Sequence, residues 1–129
     1  MDQIKPEEYL TRYIFHKSHF SATQKRPKYV VFMPSPHGET SVFCISDLSD
    51  NEIWNIGGRE VAQKRGLSLL GRADILAFHV LNKNLKLIPD NSPPRHANIV
   101  NWPIEKSEQK LIAIELAENA QLHLKSEDK

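Results

Sequence analysis

Residues 73–81 read Ala73-Asp74-Ile75-Leu76-Ala77-Phe78-His79-Val80-Leu81, a run in which Asp74 and His79 alone are polar. Ile75, Ala77 and Leu81 alternate with Leu76, Phe78 and Val80, so an extended chain here turns apolar side chains to both faces of a sheet. The run predicts a central strand covered on both sides, with His79 as a satisfied core histidine. Such a strand needs helices above and below it, and the flanking sequence carries signals for both helices and further strands.

Toward the C-terminus, Asn82-Lys83-Asn84 predicts a turn, Leu85-Lys86-Leu87-Ile88-Pro89 a strand, and residues 90–94 a loop. A helix over residues 107–122 follows, with Ile112, Ala113, Leu116, Ala117, Ala120 and Leu124 on one face and Glu108, Glu115 and Glu118 outside it. Residues 125–129 predict a frayed tail. Toward the N-terminus, Tyr29-Val30-Val31-Phe32-Met33 reads as a strand stopped by Pro34, and residues 40–46 as a second. The turn Ser35-Pro36-His37-Gly38 between them makes an antiparallel hairpin the simplest pairing. Ser49-Asp50-Asn51-Glu52 fits a capping box, so a helix begins there, and Gly57-Gly58 predicts a break or kink in it, with a second short helix over Arg59 to Lys64 as the alternative. Pro6, with Glu7 and Glu8 in the first turn, opens an N-terminal helix whose apolar face is Tyr9, Leu10, Tyr13 and Ile14. The expectation is one α+β domain over residues 1–129: a mixed or antiparallel sheet of about four strands, packed by an N-terminal, a middle and a C-terminal helix.

Composition narrows the function classes. Forty per cent hydrophobic and 26% charged residues suit a folded soluble chain, and no apolar run reaches the roughly 20 residues of a membrane span. Residues 1–6 lack the start of a secretory signal, which points to the cytoplasm. A formal net charge of +1 gives no overall attraction to nucleic acid, so such binding needs a local patch; Lys17, Lys25, Arg26 and Lys28 with Phe15, Phe20 and Tyr29 are the candidate for one. Cys44, the single cysteine, lies in an apolar stretch and reads as a buried structural thiol. His16 and His19 have the spacing of a metal pair but no third ligand follows nearby, so no metal and no cofactor is expected. Phosphate-binding glycine loops, dinucleotide fingerprints, nucleophile elbows and paired His-Glu zinc helices are all missing from the sequence.

The segment that most invites chemistry is Pro93-Pro94-Arg95-His96-Ala97-Asn98. It sets a fixed cation, a group titrating near neutrality and an amide within four positions, behind two rings that restrict the backbone. Arg95 would clamp an anion, His96 would act as acid or base, and Asn98 would orient a carbonyl or water. The competing reading has His96 and Asn98 bonding to loop backbone while Ile99, Val100 and Trp102 fill the core. Arg72 and Asp74, at the start of the predicted central strand, and His37, in its turn, would assist if the fold brought them to the loop; otherwise Arg72 and Asp74 are a surface pair and His37 is solvated.

Arg12-Tyr13-Ile14-Phe15 with His19-Phe20, Phe32-Met33-Pro34 leading to Ser41-Val42-Phe43, and His96-Ala97-Asn98-Ile99-Val100 with Trp102-Pro103 together resemble a family of small bacterial single-domain proteins of unassigned function. The resemblance implies a bacterial, single-domain protein and assigns no functional residue. The residues themselves lead to a non-enzymatic binding or adaptor module acting with a partner protein, with Arg95, Asn98 and Arg72 as contact residues. The alternative is a small enzyme on a phosphate-containing or nucleic-acid substrate, with His96, Asp74 and His37 as its catalytic groups.

Overall fold

A computed structural model describes residues 3–125. Its elements run β1 (Tyr9–Ile14), β2 (Phe20–Ser21), β3 (Arg26–Pro27), β4 (Thr40–Cys44), α1 (Asp50–Ile56), a π-helical stretch (Gly57–Ala62), α2 (Gln63–Arg65), β5 (Gly71–Leu76), α3 (Ala77–Leu81), β6 (Lys86–Pro89), β7 (His96–Val100), α4 (Lys106–Glu118) and β8 (Gln121–Leu124). Six strands form one sheet in the order β6-β7-β4-β1-β5-β8, with every neighbouring pair antiparallel, and β2 and β3 form a small separate hairpin. The fold is α+β with an antiparallel sheet, as expected, but the sheet has six strands rather than about four.

Four local expectations are corrected. The predicted N-terminal helix is the central strand β1, because Leu10 and Ile14, four apart, share a face in a strand as well as in a helix. Its Thr11 and Tyr13 are buried on the opposite face, which a one-sided helix would not allow. The predicted strand at Tyr29 is a 3-10 turn (Tyr29–Phe32) that drops Val31 and Phe32 into the core. Its carbonyls have side-chain partners instead of a neighbouring strand: Arg12 Nε donates to Val31 O at 2.8 Å and Thr40 Oγ1 donates to Phe32 O at 3.0 Å. Residues 73–81 divide after Leu76 into strand and helix, a division that a continuous apolar run cannot signal. His79 therefore lies half-buried on α3 rather than in the core. Finally, the last helix stops at Glu118, where Asn119 Nδ2 bonds back to Glu115 O, and the chain returns as an edge strand, β8. Beyond Lys125 the expected frayed tail lies outside the described residues.

The sheet is covered on both faces. On one, Leu10, Ile14, Val42, Ile75 and Ile99 meet Ala113 and Leu116 of α4, with Val31, Phe32 and Val80 filling in. On the other, Tyr13, Phe43 and Ile45 meet Ile53 of α1. Ser49 and Glu52 form the expected reciprocal capping box at the start of α1. Gly57 and Gly58 do not break the helix. A side chain at Gly57 would sit 2.5 Å from the Tyr13 ring, so the glycine lets the helix lie directly on the sheet. No helix among the described residues is long and apolar enough to cross a membrane.

Candidate functional site

The strand register decides which candidate residues meet. Arg72 and Asp74 on β5, and His96 and Asn98 on β7, all belong to the sheet face covered by α1, yet β1 and β4 lie between them. Three strand spacings amount to roughly 14 Å, and the Tyr13 and Phe43 rings, 5.7 Å apart, fill that interval. His37 is exposed in the turn before Thr40, whose partner is Ile99, at the end of β4 opposite the Phe43–His96 pairing. The structure thus brings Arg72 to Asp74 and His96 to Asn98, and does not bring the three catalytic candidates, His37, Asp74 and His96, together.

Each cluster is held by ion pairs of its own. Arg72 is almost fully buried, and its Nε donates to both Asp74 oxygens at 3.1 and 3.2 Å. Its Nη2 reaches Asp50 Oδ1 at 2.9 Å, and its guanidinium stacks over Trp54 at 4.6 Å. Among the described residues, its Nη1 has no hydrogen-bond partner. This is a buried tether between β5 and α1, a correction to the surface pair expected from sequence. Beside it the Tyr13 hydroxyl donates to Ile53 O at 2.6 Å, and burial pushes its pKa upward.

At the other cluster, Arg95 sits at φ 73° and makes a two-pronged ion pair with Asp47 at 2.6 and 3.0 Å, which raises the guanidinium pKa and lowers that of the carboxyl. His96 Nδ1 lies 2.7 Å from Asp90 Oδ1, and Asn98 Nδ2 donates to the other Asp90 oxygen at 3.4 Å. The His96 bond, followed by the Ser92 amide, holds Asp90 below the usual carboxylate range. The expected loop ends at Arg95, because Ala97 and Ile99 alternate inward from His96 onward and make that stretch a strand. The two prolines drew the reading away from that alternation.

Sequence reading missed a third arrangement. β1 pairs with β5 along its whole length, but its pairing with β4 stops at Thr11 opposite Phe43. Past that point the strands splay, and the Arg12 guanidinium occupies the split, with Nη1 donating to Ser41 O at 2.9 Å and Nε to Val31 O. A cleft of about 180 Å³ opens there beneath the π-helical stretch, with Arg12, Phe43, Glu60, Lys64, Arg65 and His96 among its lining residues. Burial lowers the Arg12 pKa to about 10, with the positive charge of Arg65 adding to the effect; the group stays charged at neutral pH. Glu60 bridges to Lys64 at 3.2 Å, and Arg65 lies over the Phe15 ring at 5.8 Å. Among the described residues, neither Arg12 nor Arg65 has a carboxylate partner. The available signal was an arginine alternating with Leu10 and Ile14 in a β-prone stretch, hidden by the helical reading.

A second concavity, lined by Leu48, Glu52, Arg59, Glu60, Pro94 and Arg95, adjoins the first across Glu60. Together they form a groove between the 50–65 helix and the residue 93–96 loop. Lys17, Lys25, Arg26 and Lys28 lie elsewhere, around the β2–β3 hairpin, where Phe20 packs partly buried against the core and Lys110 lies over the exposed Tyr29 ring at 5.0 Å. Burial, with Glu8 nearby, raises the half-buried Cys44 thiol to about 11. No group of three or more His, Cys, Asp or Glu side chains among the described residues is placed to hold a metal ion. Comparisons with protein-family models, with curated proteins and with solved structures find no match for this chain.

Proposed function

We propose that the chain is a non-catalytic binding module that acts with a partner protein and receives an anionic segment of that partner in the groove beside the Pro93–His96 loop. The observation that supports this reading is the unequal use of charge. Arg72, Arg95 and His96 are each engaged with a carboxylate, whereas Arg12 and Arg65 line a concave surface with no carboxylate paired to either among the described residues. A half-buried cation in that situation is stabilised by an anion from outside. Fluorescence anisotropy with labelled acidic peptides, and with neutral peptides of otherwise equal composition, tests it. Saturable binding of the acidic set, weakened by salt and by Arg65→Glu, is the expected result. Equal binding of both sets would remove the reading.

The enzymatic alternative draws on one observation, that His96 lines the same cleft. Hydrolysis of 4-nitrophenyl phosphate that disappears with His96→Gln would favour it over a binding role.

A further inference from the structure

We infer that the anion accepted at the β1–β4 split is a phosphomonoester dianion; the inference rests on the reading of the groove as an anion-recognition surface and names its ligand chemistry. Three cationic residues, Arg12, Lys64 and Arg65, line the cleft with one carboxylate, Glu60, so two positive charges among its lining residues are unmatched. An Asp or Glu side chain would neutralise one of them. A phosphomonoester brings about −1.5 to −2 at neutral pH together with three acceptor oxygens. The donors exist to meet it: a guanidinium has five N–H groups, and Arg12 spends one on Val31 O and one on Ser41 O. Arg12 is also fixed before any ligand arrives, because those two carbonyls anchor it within the sheet. Pre-organisation of this kind removes much of the ordering cost of binding.

Size points the same way. At about 180 Å³ the cleft is smaller than the roughly 300 Å³ at which small-molecule sites begin. It suits a terminal group and not a whole cofactor. The body of the ligand then lies outside, along the adjoining concavity.

Phosphate chemistry can reach the cleft on a protein or on a small molecule, and four probes against the full chain separate these sources: inorganic phosphate, a phosphoserine peptide, and the same peptide with Ser or with Glu at that position. Calorimetric titration is expected to show the phosphoserine peptide binding at least about tenfold more tightly than the Glu peptide. Their affinity ratio should grow between pH 5.5 and 7.5, as the phosphate passes its second pKa near 6. Inorganic phosphate matching the phosphopeptide would support the same chemistry with a small-molecule source. Arg12 variants risk unfolding the sheet split, so the test uses exposed residues: Lys64→Gln and Arg65→Gln should each weaken phosphopeptide binding several-fold and leave the Glu peptide less affected. Equal affinity for the Glu and phosphoserine peptides, both lost in these variants, would overturn the phosphate assignment while leaving anion recognition standing. If no anionic probe bound above the Ser peptide, both would fall.

Discussion

Adjacent glycines in one helix meet different surroundings. A Cβ at Gly57 would lie 2.5 and 2.6 Å from carbons of the Tyr13 ring, whereas one at Gly58 meets nothing within 4 Å. Tyr13 cannot yield easily, since it is buried against Phe43 and its hydroxyl is bonded to Ile53 O. Gly57→Ala should therefore lose about 1–2 kcal/mol net, the overpacking cost exceeding the gain in helix propensity. Gly58→Ala should gain about 0.5–1 kcal/mol. Urea unfolding of the two variants measures both, and equal effects would show that the helix does not rest on the Tyr13 ring. At this scale the sequence was informative about type and silent about cause. The pair was visible as something unusual within a helix, but close approach and helix breaking are written with the same residue. Arg12 was obscure for a similar reason, because a cation inside a strand becomes conspicuous only once the segment is known to be extended.

β5 and α1 are held together by one buried guanidinium, and its two carboxylate partners differ in exposure. The Asp74 side chain is 10% exposed and Asp50 is 70% exposed. Asp74→Ala would leave Arg72 Nε buried and unpaired, so it should destabilise by about 3 kcal/mol, with Asp50→Asn costing much less. The acid side gives a separate check. The Arg72 hydrogen bond holds the Asp50 carboxyl below its ordinary range. A carboxyl with a depressed folded pKa contributes its stability above the unfolded value of about 4 and loses it as pH falls through the folded value. The stability gap between wild type and Asp50→Asn should thus be full at pH 7 and close below about pH 4. A gap independent of pH would deny the ion pair any part in docking the helix. Among elements, those with unambiguous local chemistry were readable: the Ser49–Glu52 cap, the strand at Thr40 and the strand before Pro89. Those lost to reading depend on partners far along the chain. The Tyr29 segment is strand-like in composition, but it is Arg12 and Thr40 that take up its carbonyls.

Across the whole molecule, most of the sheet is assembled between distant segments: β1 lies between β4 and β5, and β8 closes the edge beside β5. Within the six-stranded sheet, and among the described residues, only β6 and β7 are neighbours with consecutive places in the strand order along the chain, so a reading that joined nearest strands into hairpins could reach the α+β class and miss the order. That order makes a prediction about β8. Its four residues cover the otherwise open side of β5, with Gly71 opposite Leu124 and Asp74 opposite Gln121, and Lys125 N donates to Leu70 O at 2.9 Å. The fit is close, since a Cβ at Gly71 would sit 2.8 Å from His123 O. A chain ending at Asn119 would expose the edge of β5, a strand whose first five residues are buried in the intact protein, together with the Arg72–Asp74 pair beside it. Uncovered edges of this kind recruit other strands. Sedimentation of the shortened chain should show concentration-dependent association with a lowered melting temperature, while the full chain shows none of that association from the β5 edge. A second change separates edge exposure from simple loss of packing: Ala73→Lys in the full chain buries a charge without opening the edge, and should lower stability without promoting association. A shortened chain that remained monomeric with unchanged melting would mean that β8 neither guards β5 nor stabilises it.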